Sequence, residues 1–328
     1  MQRRLLLGLV AALAIYLGLT TVFGLEQVGS SLRALPWIWW LVGPAICLSS
    51  HLLLLGRWQF YLGWLGYPLP LKAGARIYAA GLALIAAPGR SGEALRGLWL
   101  QRRHGFPLTV GVGITLAERL ADLASALLVL SWGLGRQVWS AALVGGVVLG
   151  AGGWLLTHPR VLQRLERGLE RLPMHRRWQG LIRLLREALL AMGRMRTLMK
   201  PKPLLVGTLL ACACWLLEAG LLVGLYGALG VAIDWRQAAV IRTATGLGGV
   251  VSLLPAGLGT SEATAIGLAM LYGAGRSQAL AATLVLRLCT LALPCLIGVV
   301  ALMRQPDLSR RSAVENTGRQ NDTPEGHS

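Results

Sequence analysis

The sequence predicts an all-α integral membrane protein with about six full spans plus two re-entrant helical hairpins arranged as inverted repeats; counted by apolar segments alone, it has seven or eight spans. Three observations carry that prediction. Hydrophobic residues fill 55% of 328 positions and mean hydropathy is +0.58, so most of the chain needs lipid around it rather than water. An apolar stretch is broken twice by a Pro/Gly turn bearing a glutamate, at PGRSGE (88–93) and at PAGLGTSE (255–262). Each break has an arginine upstream, Arg76 or Arg242, and another downstream, Arg119 or Arg287. The intervals nearly match: 12 and 13 residues from first arginine to proline, then 26 and 25 from glutamate to second arginine.

Six segments have the roughly 20 apolar residues that a bilayer core requires: 5–25, 37–56, 107–132, 137–157, 203–226 and 277–302. The first follows Arg3 and Arg4 as a signal peptide would. It lacks a small-x-small cleavage site before Glu26, so an uncleaved span is expected. Regions 73–103 and 237–273 are split near the middle by the Pro/Gly breaks. Their halves, of about 12 to 18 residues, are short for a span, and each region reads as a hairpin of two half-helices. The expected organisation is a membrane domain over 1–303, with repeat cores 73–132 and 237–302, followed by a disordered polar tail over 304–328.

The charges give the topology. With Arg3 and Arg4 inside, six spans place Arg57, Lys72, Arg76, Arg102, Arg103, the 159–203 block and the tail arginines on the cytoplasmic side. Both termini are then cytoplasmic. The 159–203 block holds twelve Lys/Arg against three acids. Leu162, Leu165, Leu169 and Leu172 recur there at helical spacing, as do Leu181, Leu185, Leu189 and Met192. Two readings stand: a topology determinant, which is favoured, or two amphipathic helices on the cytoplasmic leaflet with arginines at anionic headgroups. The net charge of +18 does not imply nucleic acid, because no recognition module accompanies it.

Ten ionisable residues fall inside apolar regions: Arg90, Glu93, Arg96, Glu118, Arg119, Asp122, Glu218, Arg242, Glu262 and Arg287. Each charge at the bilayer centre costs about 2.5–3.5 kcal/mol, so these groups are expected to pair or to line one polar interior. A broken helix exposes N–H groups and a positive dipole end that attract an anion. Gly89, Gly92, Gly257 and Gly259 would let the backbone turn and approach a ligand. Arg90, Arg119 and Arg287 are the candidate headgroup contacts, with Glu93, Glu262, Glu118, Asp122, Arg76 and Arg242 in supporting ion pairs. The competing reading is that Glu93–Arg119 and Glu262–Arg287 only lock each hairpin to the following span. Glu218 has no sequence-adjacent counter-charge and reads equally as a proton-coupling acid or a neutral partner of a buried donor; Asp122 is a second coupling candidate. His51 reads as an interior histidine rather than a metal ligand. Trp37, Trp39, Trp40, Trp58 and Trp64 read as interfacial anchors at the ends of the second span. The five cysteines show no CxxC spacing, so no disulfide, metal site or cofactor is expected. Walker A, HExxH and GxSxG patterns are absent from the sequence, and an enzyme is not expected.

At RIYAAGLALIAAPGRSGEALRGLWL, TLAERLADL and LLPAGLGTSEATAIGLAMLYGAG with LRL downstream, the chain resembles the lysylphosphatidylglycerol synthase transmembrane-region family, also described as flippase-like. The resemblance implies a bacterial inner-membrane protein that moves, or helps to move, a lipid between leaflets. It also implies membrane lipids with anionic or polar headgroups as partners, and a possible partner lipid-modifying enzyme or glycosyltransferase. Bifunctional members carry a soluble domain that transfers an aminoacyl group to phosphatidylglycerol. The roughly 25 residues after the last span here are too few for such a domain. PAGLGTSE lacks an arginine equivalent to Arg90, a departure from strict symmetry. The rivals to transport are a non-transporting subunit that presents lipid to an enzyme and a membrane transferase.

The topology makes a testable statement. A cysteine replacing Arg103 should react with impermeant thiol reagents from the cytoplasmic side only, whereas cysteines replacing Ala87 or Ser91 should react poorly from outside. Labelling of position 103 from the periplasm would remove the first re-entrant hairpin.

Overall fold

A chain in lipid must satisfy every backbone N–H and C=O internally, and this one does so with helices. The computed structural model describes residues 25–85, 95–135, 145–146, 152–155, 157–170, 179–252 and 254–304. The described residues form no strand, and the protein is an all-α membrane protein. The expected spans 5–25 and 137–157, the first break and the 304–328 tail lie largely or wholly outside these residues.

The helices run α1 (Leu25–Ala34), α2 (Trp39–Trp64), α3 (Leu71–Leu82), α4 (Leu95–His104), α5 (Leu108–Leu134), α6 (Pro159–Glu170), α7 (Gln179–Leu198), α8 (Pro201–Ala228), α9 (Trp235–Val251), α10 (Thr260–Leu271), α11 (Arg276–Arg287) and α12 (Leu293–Met303). Among the described residues, three stretches are long and apolar enough to cross a membrane: Trp39–Trp64, Pro201–Ala228 and Arg276–Met303. The last is α11 and α12 joined by a π-helical turn at Leu288–Ala292. Pro294 has no N–H to return to the preceding turn, and the hydrogen-bond ladder is shifted at this point. α5 has 27 residues but carries Glu118, Arg119 and Asp122 in its middle.

Local chemistry sets the helix starts in the second half. Asp234 accepts from the Gln237 N–H at 2.8 Å while the Gln237 side chain accepts from the Asp234 N–H at 3.0 Å, a reciprocal cap that opens α9. Gln278 caps α11 by accepting from the Gly275 N–H at 2.9 Å, and its amide donates to the Leu229 carbonyl at 2.8 Å, tying α11 to the end of α8.

α8 packs against α2, α5 and α9, and α5 packs in turn against α4, α7 and α9. Buried apolar residues form two clusters. One joins α8, α9, α10 and α11 with Cys47 and Val129; the other joins α3, α4 and the C-terminal half of α2 with Ala117. α2 and α5 thread both clusters, and the charged residues of α5 sit between Ala117 and Val129, at the seam.

The two halves of the chain are interleaved. α9, the first half-helix of the second repeat, packs on α5 of the first, and α3, its counterpart, packs on α12 of the second. Glycines permit both crossings. A Cβ at Gly133 would come within 2.8 Å of the Arg236 carbonyl oxygen, and one at Gly298 would overlap the Leu82–Ala83 backbone.

Two expectations about α2 need correction. The second span does not stop at residue 56: the helix continues to Trp64, so Arg57 is inside it and only 1% exposed rather than in a cytoplasmic loop. Ending a span at its first charge fails here because α5 supplies the countercharge. Trp58 is likewise buried, with its ring 6.1 Å from that of Tyr78, and is not an interfacial anchor; Trp37 and Trp40 are exposed.

α4 and α5 cross where Gly97 faces Gly111, and a Cβ on Gly111 would overlap the Gly97 backbone. Gly111→Ala should therefore destabilise the protein by about 1–3 kcal/mol, because backbone cannot give way as a side chain can. Gly193→Ala, in open space inside α7, should leave thermal unfolding in detergent no lower than in the parent protein, since alanine favours the helix by up to about 1 kcal/mol.

Candidate functional site

A guanidinium in an apolar helix bundle is tolerated when carboxylates meet it. Arg57 on α2 donates to the Asp122 carboxylate at 2.6 Å and lies 3.8 Å from Glu118, both on α5. Glu118 and Asp122 are four residues apart, one helical turn, so both carboxylates face α2. Glu118 is shared, with Arg96 of α4 at 3.6 Å, and the Arg96 guanidinium lies over the Tyr78 ring at 4.9 Å. Asp122 is shared as well, with Arg119 at 3.1 Å on its own helix. Three helices are thus joined by an alternating series of cations and anions.

The series is connected to a second group. Ser125, one turn beyond Asp122, donates to the Asp122 carbonyl at 2.8 Å and accepts from the Trp215 indole N–H at 3.0 Å. Arg242 lies over the Trp215 ring at 4.6 Å, and its Nε donates to Glu218 at 2.5 Å. Trp215 and Glu218 are three apart on α8, so ring and carboxylate grip one guanidinium from the same face. Cys212 and Cys214 point to different neighbours on this helix, Sγ of Cys212 towards the Ser125 carbonyl and Sγ of Cys214 towards that of Ser50. All five cysteines are free.

The second break is closed on itself. Ala256 has φ 55°, Gly257 64° and Gly259 84°, so three residues of the PAGLG turn take the left-handed region; the glycines adopt it freely and Ala256 at a steric cost of about 1–2 kcal/mol. Arg287 holds that turn: its Nη2 donates to the Ala256 carbonyl at 2.7 Å and its Nε to Glu262 at 2.6 Å. Glu262 in turn accepts from the Gly259 N–H at 2.7 Å, capping α10. The N-terminus of this half-helix therefore has an anion of its own, where the sequence suggested free N–H groups waiting for a ligand. Glu262 is wholly buried and Gly257 packs against Gly249.

The predicted residues are thereby placed. Glu118, Arg119 and Asp122 come together; Glu262 meets Arg287; Glu218, which lacked a visible countercharge, meets Arg242. Arg76 is exposed on α3. Gly89, Arg90, Gly92 and Glu93 lie outside the described residues, and the expected Glu93–Arg119 pair with them. Sequence reasoning missed Arg57, the most central cation of the series, because it treated the residue as the end of a span. Trp215 and Ser125, which bridge the two groups, were also unmarked.

A family model, the lysylphosphatidylglycerol synthase TM region, matches residues 6–298. The chain belongs to that family. The match takes in both breaks and every charged residue of the seam. The chain is also similar to a UPF0104 membrane protein of Methanothermobacter thermautotrophicus, 27% identical over 287 residues and covering 81% of each chain.

The network predicts the order of single and combined substitutions. Arg57→Met removes the cation shared by two carboxylates and should destabilise the protein by about 3–5 kcal/mol, since it breaks two buried ion pairs at once. Adding Asp122→Asn and Glu118→Gln should deepen the loss, because Arg96 and Arg119 then lose the carboxylates that meet them at 3.6 and 3.1 Å. Thermal unfolding of the single and the combined variant in detergent checks this; recovery in the combined variant would mean that the two carboxylates serve Arg57 alone and not the whole series.

Proposed function

We propose that this membrane protein moves a lipid with an anionic or polar headgroup between the two leaflets of a bacterial inner membrane, the headgroup passing along the ionic seam while the acyl chains stay in lipid. The observation that carries the reading is the seam itself: α2, α4, α5, α8 and α9 bring four arginines and three acids into one connected interior. A purely structural lock would use fewer charges, because apolar packing stabilises at least as well as buried pairs do. Membership of the family supports a lipid-related role, and the transport step is our inference from the geometry.

Exposure divides the labour. Arg57 and Glu118, whose side chains are 1% and 2% exposed, form the frame. Arg119 and Asp122, at 32% and 21%, present the accessible surface, and Arg119 is the residue assigned to the headgroup phosphate. Arg90 remains assigned to the same role on its place in the sequence. Arg287 is committed to Glu262 and the Ala256 carbonyl, and we assign it to holding the turn. Glu218 faces one guanidinium and Asp122 faces two, so protonation of Glu218 would release a single arginine; this makes Glu218 the stronger coupling candidate. No catalytic role is assigned to these residues.

Purified protein in liposomes with a fluorescent phosphatidylglycerol should bring inner-leaflet probe out to an impermeant reductant faster than protein-free vesicles do. Arg119→Ala should slow this by roughly ten- to a hundredfold, the loss of one charge-assisted hydrogen bond, while leaving a folded, inserted protein. Wild-type vesicles that match protein-free ones yet retain bound lipid would instead identify a subunit that presents lipid to an enzyme.

A further inference from the structure

The basic segment between the spans carries a second interaction surface, separate from the seam. On α6, at about 100° per residue, Val161, Leu162, Leu165 and Leu169 fall within about a 100° arc, and Arg160, Arg164 and Arg167 within about a 60° arc on the other side. α6 packs only partly on α7: Leu165 is 47% exposed, and on the N-terminal half of α7, Leu184 is 66% and Leu185 41% exposed. The C-terminal half of α7 is seated on α5, where a Cβ on Gly113 would come within 2.8 Å of the Ala191 carbonyl oxygen. One end of the helical pair is thus fixed to the bundle and the other presents leucines and arginines outward.

The surroundings fix the depth of that outward face. Lys202, at the start of α8, lies 5.6 Å over the Trp64 ring; Arg196 lies 5.9 Å over Trp154; and Arg194 lies 5.6 Å over Tyr67. Cations paired with aromatic rings at the ends of apolar helices mark the boundary between lipid and water. Exposed leucines at that level meet acyl chains, and arginines beside them meet headgroups. The block has twelve cations against three acids, which repels a second copy of itself and complements an anionic surface.

We infer that α6 and the N-terminal half of α7 form an interfacial paddle that inserts into the adjoining leaflet and recognises its anionic lipid surface. This goes beyond a topology signal, which requires charge but no sorting of leucines and arginines to separate faces. It does not depend on lipid movement through the seam.

Hydrogen exchange on the full-length protein tests it. The amides of 159–170 should exchange more slowly in nanodiscs containing phosphatidylglycerol than in discs of phosphatidylcholine alone. Each arginine at an anionic surface contributes roughly a factor of five, so Arg160→Gln, Arg164→Gln and Arg167→Gln together should erase up to about a hundredfold of that protection. The same substitutions should leave exchange in α5 and α8 unchanged, which shows the bundle intact. Equal exchange in the two kinds of disc would overturn the proposal. So would protection in detergent that rises with protein concentration, since it would assign the face to a second copy.

Discussion

A guanidinium that cannot reach water must be met by carboxylates, and in this protein the requirement centres on Arg57. Its side chain is buried on α2, a helix otherwise apolar enough to span a membrane. Glu118 and Asp122 must therefore stand on the facing side of α5, and α5 can hold them only because further cations, Arg96 and Arg119, balance what Arg57 does not. The position of α4 follows, since Arg96 has to reach Glu118, and the Gly97–Gly111 contact is what lets the two helices come close enough. The ionic seam and the steric fit of the small residues are two aspects of one constraint.

The two Pro/Gly breaks invite comparison as equivalent sites, but the second has the character of a latch. Its turn contains a strained Ala256 whose carbonyl is drawn to Arg287, its half-helix is capped by Glu262, and the same arginine joins both. The Ala256 carbonyl, the Gly259 N–H and the Glu262 carboxylate, which could greet a ligand, have internal partners instead. The accessible charges lie elsewhere, around Arg119 and Asp122. On the lipid movement proposed above, the headgroup meets Arg119 and Asp122 rather than this turn.

The class of the protein and its family were legible because they rest on features that survive without coordinates: long apolar runs, a basic block between them, and a broken-helix motif repeated at matching intervals. The proximity of Glu262 to Arg287 was also suggested by that repeat. Partners joined across helices were not legible. Glu218 and Arg242 lie 24 residues apart on different helices, and only the packing of α8 on α9 brings them together. Arg57 was misread for a related reason: a hydropathy pattern reports how a residue would fare in lipid and says nothing of a carboxylate waiting on another helix. Arg119 has a local partner in Asp122, three residues along the same helix, a pairing the sequence reading did not mark; the expected pair with Glu93 lies outside the described residues.

The interleaving of the two halves bears on how the chain is made. α3 rests on α12, and the bed for α3 is synthesised more than two hundred residues after it. α3 leaves the ribosome early and must wait in the bilayer or its interface until nearly the whole protein has emerged. During that interval its small-residue face, shaped to receive the helix around Gly298, is covered by lipid or by the insertion machinery. Assembly of the first half is then completed by the last span, and a chain truncated before it would leave α3 without its native neighbour.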